Sequence, residues 1–214
     1  EASSYQLEYS KIFSSKYAII LNISPDHIER HKTIGKYIKA KFKLLKNQRK
    51  GNLAFVKKND NLINKTLRST SFKSKIIKVD IKNTKKFLEN INNIYFINEA
   101  NKENLAFILK IAEKLKLKKN LLIKSIKKFK GLKYRQQIIF NKKNLKIIND
   151  SKSTSFSSSL GLLKNNKNIY WLLGGINKKG DKFNLSKKYF SNIKAYVYGK
   201  NKSFFNKKLK GKIE

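Results

Sequence analysis

Short β-branched or aromatic runs alternate with amphipathic helical stretches along this chain, and no other feature restricts its fold as strongly. "YAIILNI" (17–23), "LAFV" (53–56), "IIKVDI" (76–81) and "IYFI" (94–97) have the length and composition of strands. "IGKYIKAKFKLLKN" (34–47) and "NKENLAFILKIAEKLKL" (101–117) carry apolar residues at helical spacing. In the second, Leu105, Ile108, Leu109, Ala112 and Leu115 share a face. "NLLIKSIKKF" (120–129) predicts a third helix, stopped by Gly131. Beyond it come "IIF", "LKIIN", "IYWLL" and "AYVYG". This order predicts an α/β chain on a mainly parallel sheet. A domain boundary is expected near Gly131–Tyr134, where a helix ends and a new β-rich series begins.

The formal net charge of +38 would ordinarily suggest nucleic acid. Only Arg30, Arg49, Arg68 and Arg135 among the 51 basic residues are arginines, however, and Arg is the residue suited to bidentate phosphate and base recognition. The lysines are spread along the whole chain. Lys, Asn and Ile, all encoded by A/T-rich codons, supply nearly half of it. The charge therefore reads as compositional bias and solvated surface. The chain has no Cys, which excludes disulfides and thiolate metal sites. Its apolar runs are too short to span a bilayer and no secretion signal opens it, so a soluble, cytoplasmic protein without membrane insertion is expected. The first residue is Glu1, no Met occurs anywhere, and "EASSYQLEYS" opens in mid-pattern. These features lead to the expectation of an internal stretch of a longer protein.

Three places at strand or helix edges carry chemistry. After "YAIILNI" comes "SPDHIERH", which holds both histidines, His27 and His31, and the only proline, Pro25. The plain reading is a helix start with Ser24 as cap, Pro25 in the first turn and Asp26 favoured by the dipole; it leaves His27 unexplained. Histidines at i and i+4 can also share a metal, and with no Cys nearby Mg²⁺ is expected over Zn²⁺. In the next helix the inward stripe runs Ile34, Tyr37, Ile38, Leu44 and Leu45, and Lys41 occupies the missing member. Lys36, Lys39, Lys43 and Lys46 fall on solvated faces. Lys41 is either a snorkelling stem or a desolvated amine with a lowered pKa. In "INDSKSTSF" (148–156) an apolar strand breaks at Asp150 into Ser, Lys and Thr, where open α/β sheets place ligands. The alternative there is an Asp/Ser turn capping the next helix, with Ser153 and Ser155 in that role.

Taken together, "EASSYQLE" (1–8), "LNISPDHIERH" (21–31), "KYIKAKFKL" (36–44), "NKENLAF" (101–107), "GLKYRQ" (131–136), "INDSKST" (148–154) and "LLGGINKKGDKF" (172–183) resemble the Mur ligases in order and spacing. Among them the acidic-Ser-Ser-aromatic-Gln-Leu and Asn-Asp-Ser-Lys-x-Thr strings resemble the members that add D-glutamate. The resemblance implies the remainder of a parallel-sheet ATPase domain over 1–132 and part of a Rossmann-like C-terminal domain over 133–214. It implies a monomeric, ATP- and Mg²⁺-dependent ligase that joins D-glutamate to UDP-N-acetylmuramoyl-L-alanine through an acyl phosphate.

Residue by residue, the resemblance implies Glu1 as a ligand of the Mg²⁺ shared with the ATP phosphates, His27 as a ligand of a second Mg²⁺, and Lys41 as a lysine carbamylated into a carboxylate-like metal ligand. It implies nucleotide contacts at Asn104, Arg135 and Asp150. Lys152, Thr154 and Lys178 are implied around the phosphates and the incoming D-glutamate. His31 has no implied role and is expected to be structural. Ala100 and Tyr134 stand where many relatives have His. The Gly-Lys pairs at 35–36, 199–200 and 211–212 are followed by Tyr, Asn and Ile, so none is a phosphate-binding P-loop, and these 214 residues alone are not expected to turn over. A folylpolyglutamate-synthase-like ligase is the alternative enzyme, which "DSKST" disfavours. A basic nucleic-acid-binding protein is the alternative of another class, disfavoured by the scattered lysines.

Overall fold

A computed structural model describes residues 1–24, 27–89, 91, 93–96, 99–177 and 181–214. The chain forms two compact units, residues 1–92 with 102–122 and residues 93–101 with 123–214.

In the first unit, β1 (Tyr17–Ile20), β2 (Leu53–Lys57) and β3 (Lys75–Val79) form a parallel sheet in that order. The central strand is buried on both faces, as an all-parallel sheet between helices requires. Ala54 and Val56 join Ala18, Ile20, Phe42, Leu45 and Ile63 on one side. Phe55 joins Ile77, Val79, Ala106 and Phe107 on the other. The first of these layers is closed by α3 (Ile34–Lys46) and α4 (Asn61–Ser69), the second by α6 (Glu99–Lys114). Two short helices, α1 (Ser4–Tyr9) and α2 (Ile28–His31), precede α3, and α5 (Lys85–Leu88) follows β3.

Asp60 ties two connections together. One carboxylate oxygen accepts from Ile63 N at the start of α4 (3.0 Å), and the other accepts from Ile23 N in the segment leading to His27 (3.1 Å). The first bond is an N-cap; the second anchors the chain just after β1.

"IYFI" is not a strand: Ile94–Phe96 is a 3-10 turn. Asn93 explains why. Its side-chain oxygen accepts from Tyr95 N (2.9 Å), and its amide donates to Ile126 O and Phe129 O. Such local side-chain bonds offer the backbone an alternative to a ladder. Phe96 is buried and stacks on Phe129.

In the second unit, α7 (Lys119–Lys128), which belongs to it from Ile123 on, leads to β4 (Gln137–Lys142) and β5 (Leu145–Asn149), an antiparallel pair. This pair is the antiparallel exception among mainly parallel strands, because a two-residue link can join only antiparallel neighbours. Then α8 (Phe156–Asn165), β6 (Ile169–Gly174), β7 (Ile193–Tyr198) and α9 (Lys202–Leu209) follow, with β6 and β7 parallel. Phe156, Leu163, Leu173, Phe183, Leu185, Ile193 and Leu209 form the core.

At Gly174 the strands approach too closely for a side chain: an added Cβ would lie 2.5 Å from the Tyr198 carbonyl oxygen and 3.1 Å from its ring. Backbone cannot swing away as a side-chain tip can, so Gly174→Ala is expected to cost about 1–3 kcal/mol, read as a lowered urea midpoint of the second unit.

Candidate functional site

The expected metal corner begins at α1. Ser3 caps this helix by accepting from Gln6 N, while the Gln6 side chain accepts from Ser3 N. This reciprocal box fixes the helix directly after Glu1, which is itself exposed. The helix sets Tyr5 against both histidines, its ring 5.0 Å from that of His27 and 5.7 Å from that of His31.

His27 does not follow the plain helix-start reading. The helix begins at Ile28 with His27 as N-cap in the left-handed region, φ 55°, and not at a Ser24 cap; Pro25 and Asp26 lie outside the described residues. A bulky residue at positive φ is uncommon. His27 Nδ1 lies 3.1 Å from the Tyr5 hydroxyl and 3.6 Å from Glu29 Oε1, with a third of the side chain exposed.

His31 is structural, as expected. Its Nε2 meets Ser4 Oγ at 2.9 Å, its ring packs on Tyr37, and the side chain is 1% exposed.

Lys41 lies on α3 with its Nζ 5.4 Å from the centre of the Tyr37 ring. A chain of ring contacts thus runs from His27 through Tyr5, His31 and Tyr37 to Lys41. Lys41 is half-buried, whereas Lys36, Lys39 and Lys46 are exposed. Lys43 departs from its expected solvated face. It is also half-buried, and its ammonium donates to Glu8 O at 2.7 Å, clamping α1 to α3. The inward stripe itself includes Ala40 and Phe42, which the spacing argument left out.

Among the described residues no three His, Asp or Glu side chains stand together as a metal site. The residues expected to hold the metal are one carboxylate (Glu1), one imidazole (His27) and one half-buried amine (Lys41). That set suits a hard divalent cation only if the amine becomes an oxygen donor.

At the carboxyl ends of β2 and β3, Lys57 pairs with Glu103 and Lys58 with Asp80 around a small cavity. The Lys82 amide and the Lys58 ammonium hold the Asp80 carboxyl below its ordinary range. Asn104, next to Glu103 on α6, is half-buried.

In the second unit, Asp150 organises a turn. Its carboxylate accepts from Gln136 N (3.0 Å) and from Ser153 Oγ (2.5 Å), and its carbonyl accepts from Ser153 N. Lys152 N donates to Tyr134 O (3.1 Å), closing 150–153 onto 134–136, where Tyr134 and Gln136 have φ of 64° and 50°. Ser153 therefore serves Asp150 and not the helix; Ser155 is the N-cap of α8. Asp181, which spacing did not single out, accepts from Phe156 N at 2.9 Å and covers the first amide of that helix.

Lys152, Thr154 and Arg135 are exposed around this turn. The Arg135 charge partly offsets the burial that pushes the Tyr95 phenol upward. Lys178 lies outside the described residues. Removing the Asp150 carboxylate strands two donors, so Asp150→Ala is expected to cost about 1–3 kcal/mol, measured as a thermal shift of the second unit.

Comparison with known proteins supplies the context for this geometry. Residues 1–123 match the Mur ligase middle domain. Over 235 aligned residues the chain is 32% identical to the UDP-N-acetylmuramoylalanine–D-glutamate ligase of Rickettsia bellii, covering 100% of the chain and 52% of the relative. The enzyme of the same name from Francisella tularensis SCHU S4 is 33% identical over 220 residues, covering 99% and 50%. The chain thus spans about half the length of the curated relatives it matches. Among solved structures, the MurF ligase of Thermotoga maritima in complex with ADP superposes with a TM-score of 0.69 at 15% identity, over 99% of this chain and 55% of that one. MurF from Acinetobacter baumannii gives 0.70 at 16%, over 99% and 52%. At such identities these two show the fold, a mixed α/β architecture with parallel sheets. Among the described residues no helix is long and apolar enough to cross a membrane.

Proposed function

The chain belongs to the Mur ligase family, and from that premise we propose that it is part of a ligase joining D-glutamate to UDP-N-acetylmuramoyl-L-alanine at the expense of ATP. The observation that carries this reading is the 32–33% identity to D-glutamate ligases over 99–100% of the chain. In the proposal, residues 1–132 complete the central, nucleotide-handling domain and 133–214 begin the C-terminal domain. The enzyme acts as a cytoplasmic monomer, and its excess positive charge serves no nucleic acid.

Glu1 and His27 would hold two separate Mg²⁺ ions, with the carbamate of Lys41 as a further ligand. When bound, the metal supplies charge neutralisation for the phosphoryl and acyl oxygens. The residues of this chain do the rest. Asn104 addresses the adenine, and Arg135 and Asp150 address the remainder of the nucleotide. Asp150 also fixes the turn that presents Lys152 and Thr154. These two, with Lys178, bind the anionic groups of D-glutamate and of the phosphate that departs, through charge-assisted hydrogen bonds. The acceptor's alanine carboxylate attacks the γ-phosphorus of ATP, giving an acyl phosphate and ADP. The D-glutamate amine then attacks the acyl carbon, loses a proton and expels phosphate. Held cations lower the barrier by meeting charge as it develops.

A competing amino acid provides the test. Intact ligase with UDP-N-acetylmuramoyl-L-alanine and MgATP is expected to incorporate radiolabelled D-glutamate into the nucleotide product and to leave L-glutamate unused. Equal use of L-glutamate, or incorporation into a folate acceptor, would overturn the substrate assignment.

A further inference from the structure

The segment that carries Arg135 is held at both ends. At its far end Asp150 accepts from Gln136 N, and Lys152 N donates to Tyr134 O. At its near end stands Gly131 at φ 80°, a conformation that favours glycine. The Tyr95 ring lies directly against it: a Cβ added to Gly131 would fall 2.6 Å from both Cδ2 and Cε2 of that ring.

Tyr95 is itself fixed. Its N–H donates to Asn93 Oδ1 (2.9 Å), and its carbonyl accepts from Asn101 Nδ2 (2.6 Å). Its ring meets those of Phe96 and Phe129 edge-on at 5.1 and 5.0 Å. Asn93 in turn donates to the carbonyls of Ile126 and Phe129 at the end of α7, at 2.7 and 2.9 Å. The chain therefore leaves α7 against a wall held by hydrogen bonds and ring packing. Four residues past Gly131, Arg135 N donates to Leu132 O (3.2 Å), and the Arg135 charge is near enough to act on the Tyr95 phenol.

We propose that Tyr95 is a positioning residue for Arg135: its ring seats Gly131 and so sets the turn from which the guanidinium reaches the nucleotide. Arg135 is exposed, and an exposed side chain on a loose turn loses part of its charge-assisted bonding to the entropy of being ordered. A fixed base lowers that cost. The nucleotide contact of Arg135 rests on the ligase reading above; the seat at Gly131 rests on the geometry alone.

A double-mutant cycle in the intact ligase tests the proposal. Tyr95→Ala is expected to raise KM for MgATP about tenfold, the worth of one hydrogen bond to a charged group, and to leave kcat unchanged. Tyr95→Phe keeps the ring and should match wild type. In an Arg135→Ala enzyme, Tyr95→Ala should raise KM no further, because a residue that acts only through Arg135 has nothing left to position. Tyr95→Leu keeps apolar bulk against Phe96 and Phe129 and carries the same cycle if the alanine variant does not fold.

A wild-type KM for the Tyr95 variants beside a raised KM for Arg135→Ala would overturn the positioning role and leave the ligase reading standing. Increases that add in the double variant would overturn it too, since loosened packing alone produces them. A wild-type KM for Arg135→Ala would remove the nucleotide contact itself, and the proposal with it.

Discussion

Lys41→Ala in the intact ligase is expected to lower D-glutamate-dependent phosphate release by about 10²–10³-fold, the scale seen when one preorganised group that meets developing charge is removed. The expectation follows from position. Lys41 is half-buried on α3, at the end of the ring-contact chain that starts at His27, while Lys36, Lys39 and Lys46 on the same helix are exposed. In the proposal its carbamate is the third donor group beside the Glu1 carboxylate and the His27 imidazole, and no other Asp, Glu or His among the described residues completes that set. Lys41→Arg keeps the positive charge but cannot form the carbamate, so it should fail as badly as alanine. Short carboxylic acids added to the Lys41→Ala enzyme should restore part of the rate by supplying the missing oxygen donor. Lys36→Ala should be silent. Wild-type rates for Lys41→Ala, measured as phosphate release, would remove the carbamate from the account.

Phe55→Ala is expected to have the largest effect on stability, about 3–5 kcal/mol. Phe55 is fully buried in the central strand and packs on Ile77, Val79, Ala106 and Phe107, so its loss opens a cavity between β2, β3 and α6. Its strand neighbours Ala54 and Val56 are equally buried on the opposite face, which leaves the sheet little freedom to collapse into the space. Against a total stability of about 5–15 kcal/mol for a domain, such a loss brings the first unit close to unfolding at 37 °C. Phe55→Leu, which retains most of the volume, should cost less than about 1.5 kcal/mol. Urea unfolding followed by circular dichroism distinguishes them; a loss near zero for Phe55→Ala would mean that β2 is not the central strand.

The three parallel strands of the first unit were legible because each is a short β-branched or aromatic run, and α3, α6 and α7 because apolar spacing over ten or more residues is hard to mistake. What periodicity missed was decided by single polar side chains. Asn93 bends a run with strand composition into a turn, and the two-residue link after Lys142 turns β4 and β5 antiparallel. At the site, Lys41 stood out because a charge occupied an apolar stripe, and His31 was legible as structural. The burial of Lys43 was not, because its partner is a backbone carbonyl of Glu8, 35 residues away in sequence. Tyr5, Asp60 and Asp181 escaped for the same reason. Each acts on a residue remote in the chain: Tyr5 on His27, Asp60 on Ile23, Asp181 on Phe156. One signal pointed toward Tyr5, the aromatic position of the string "EASSYQLE", but only the fold sets its hydroxyl against Nδ1.

The route of one oxygen atom tests the ligase reading most directly. UDP-N-acetylmuramoyl-L-alanine labelled with ¹⁸O in its alanine carboxylate is incubated with intact ligase, D-glutamate and MgATP, and the phosphate released is analysed by mass spectrometry. Attack of that carboxylate on the γ-phosphorus followed by expulsion of phosphate predicts one ¹⁸O atom in each phosphate formed, with ADP as the other product. Unlabelled phosphate, or AMP and pyrophosphate in its place, would contradict it.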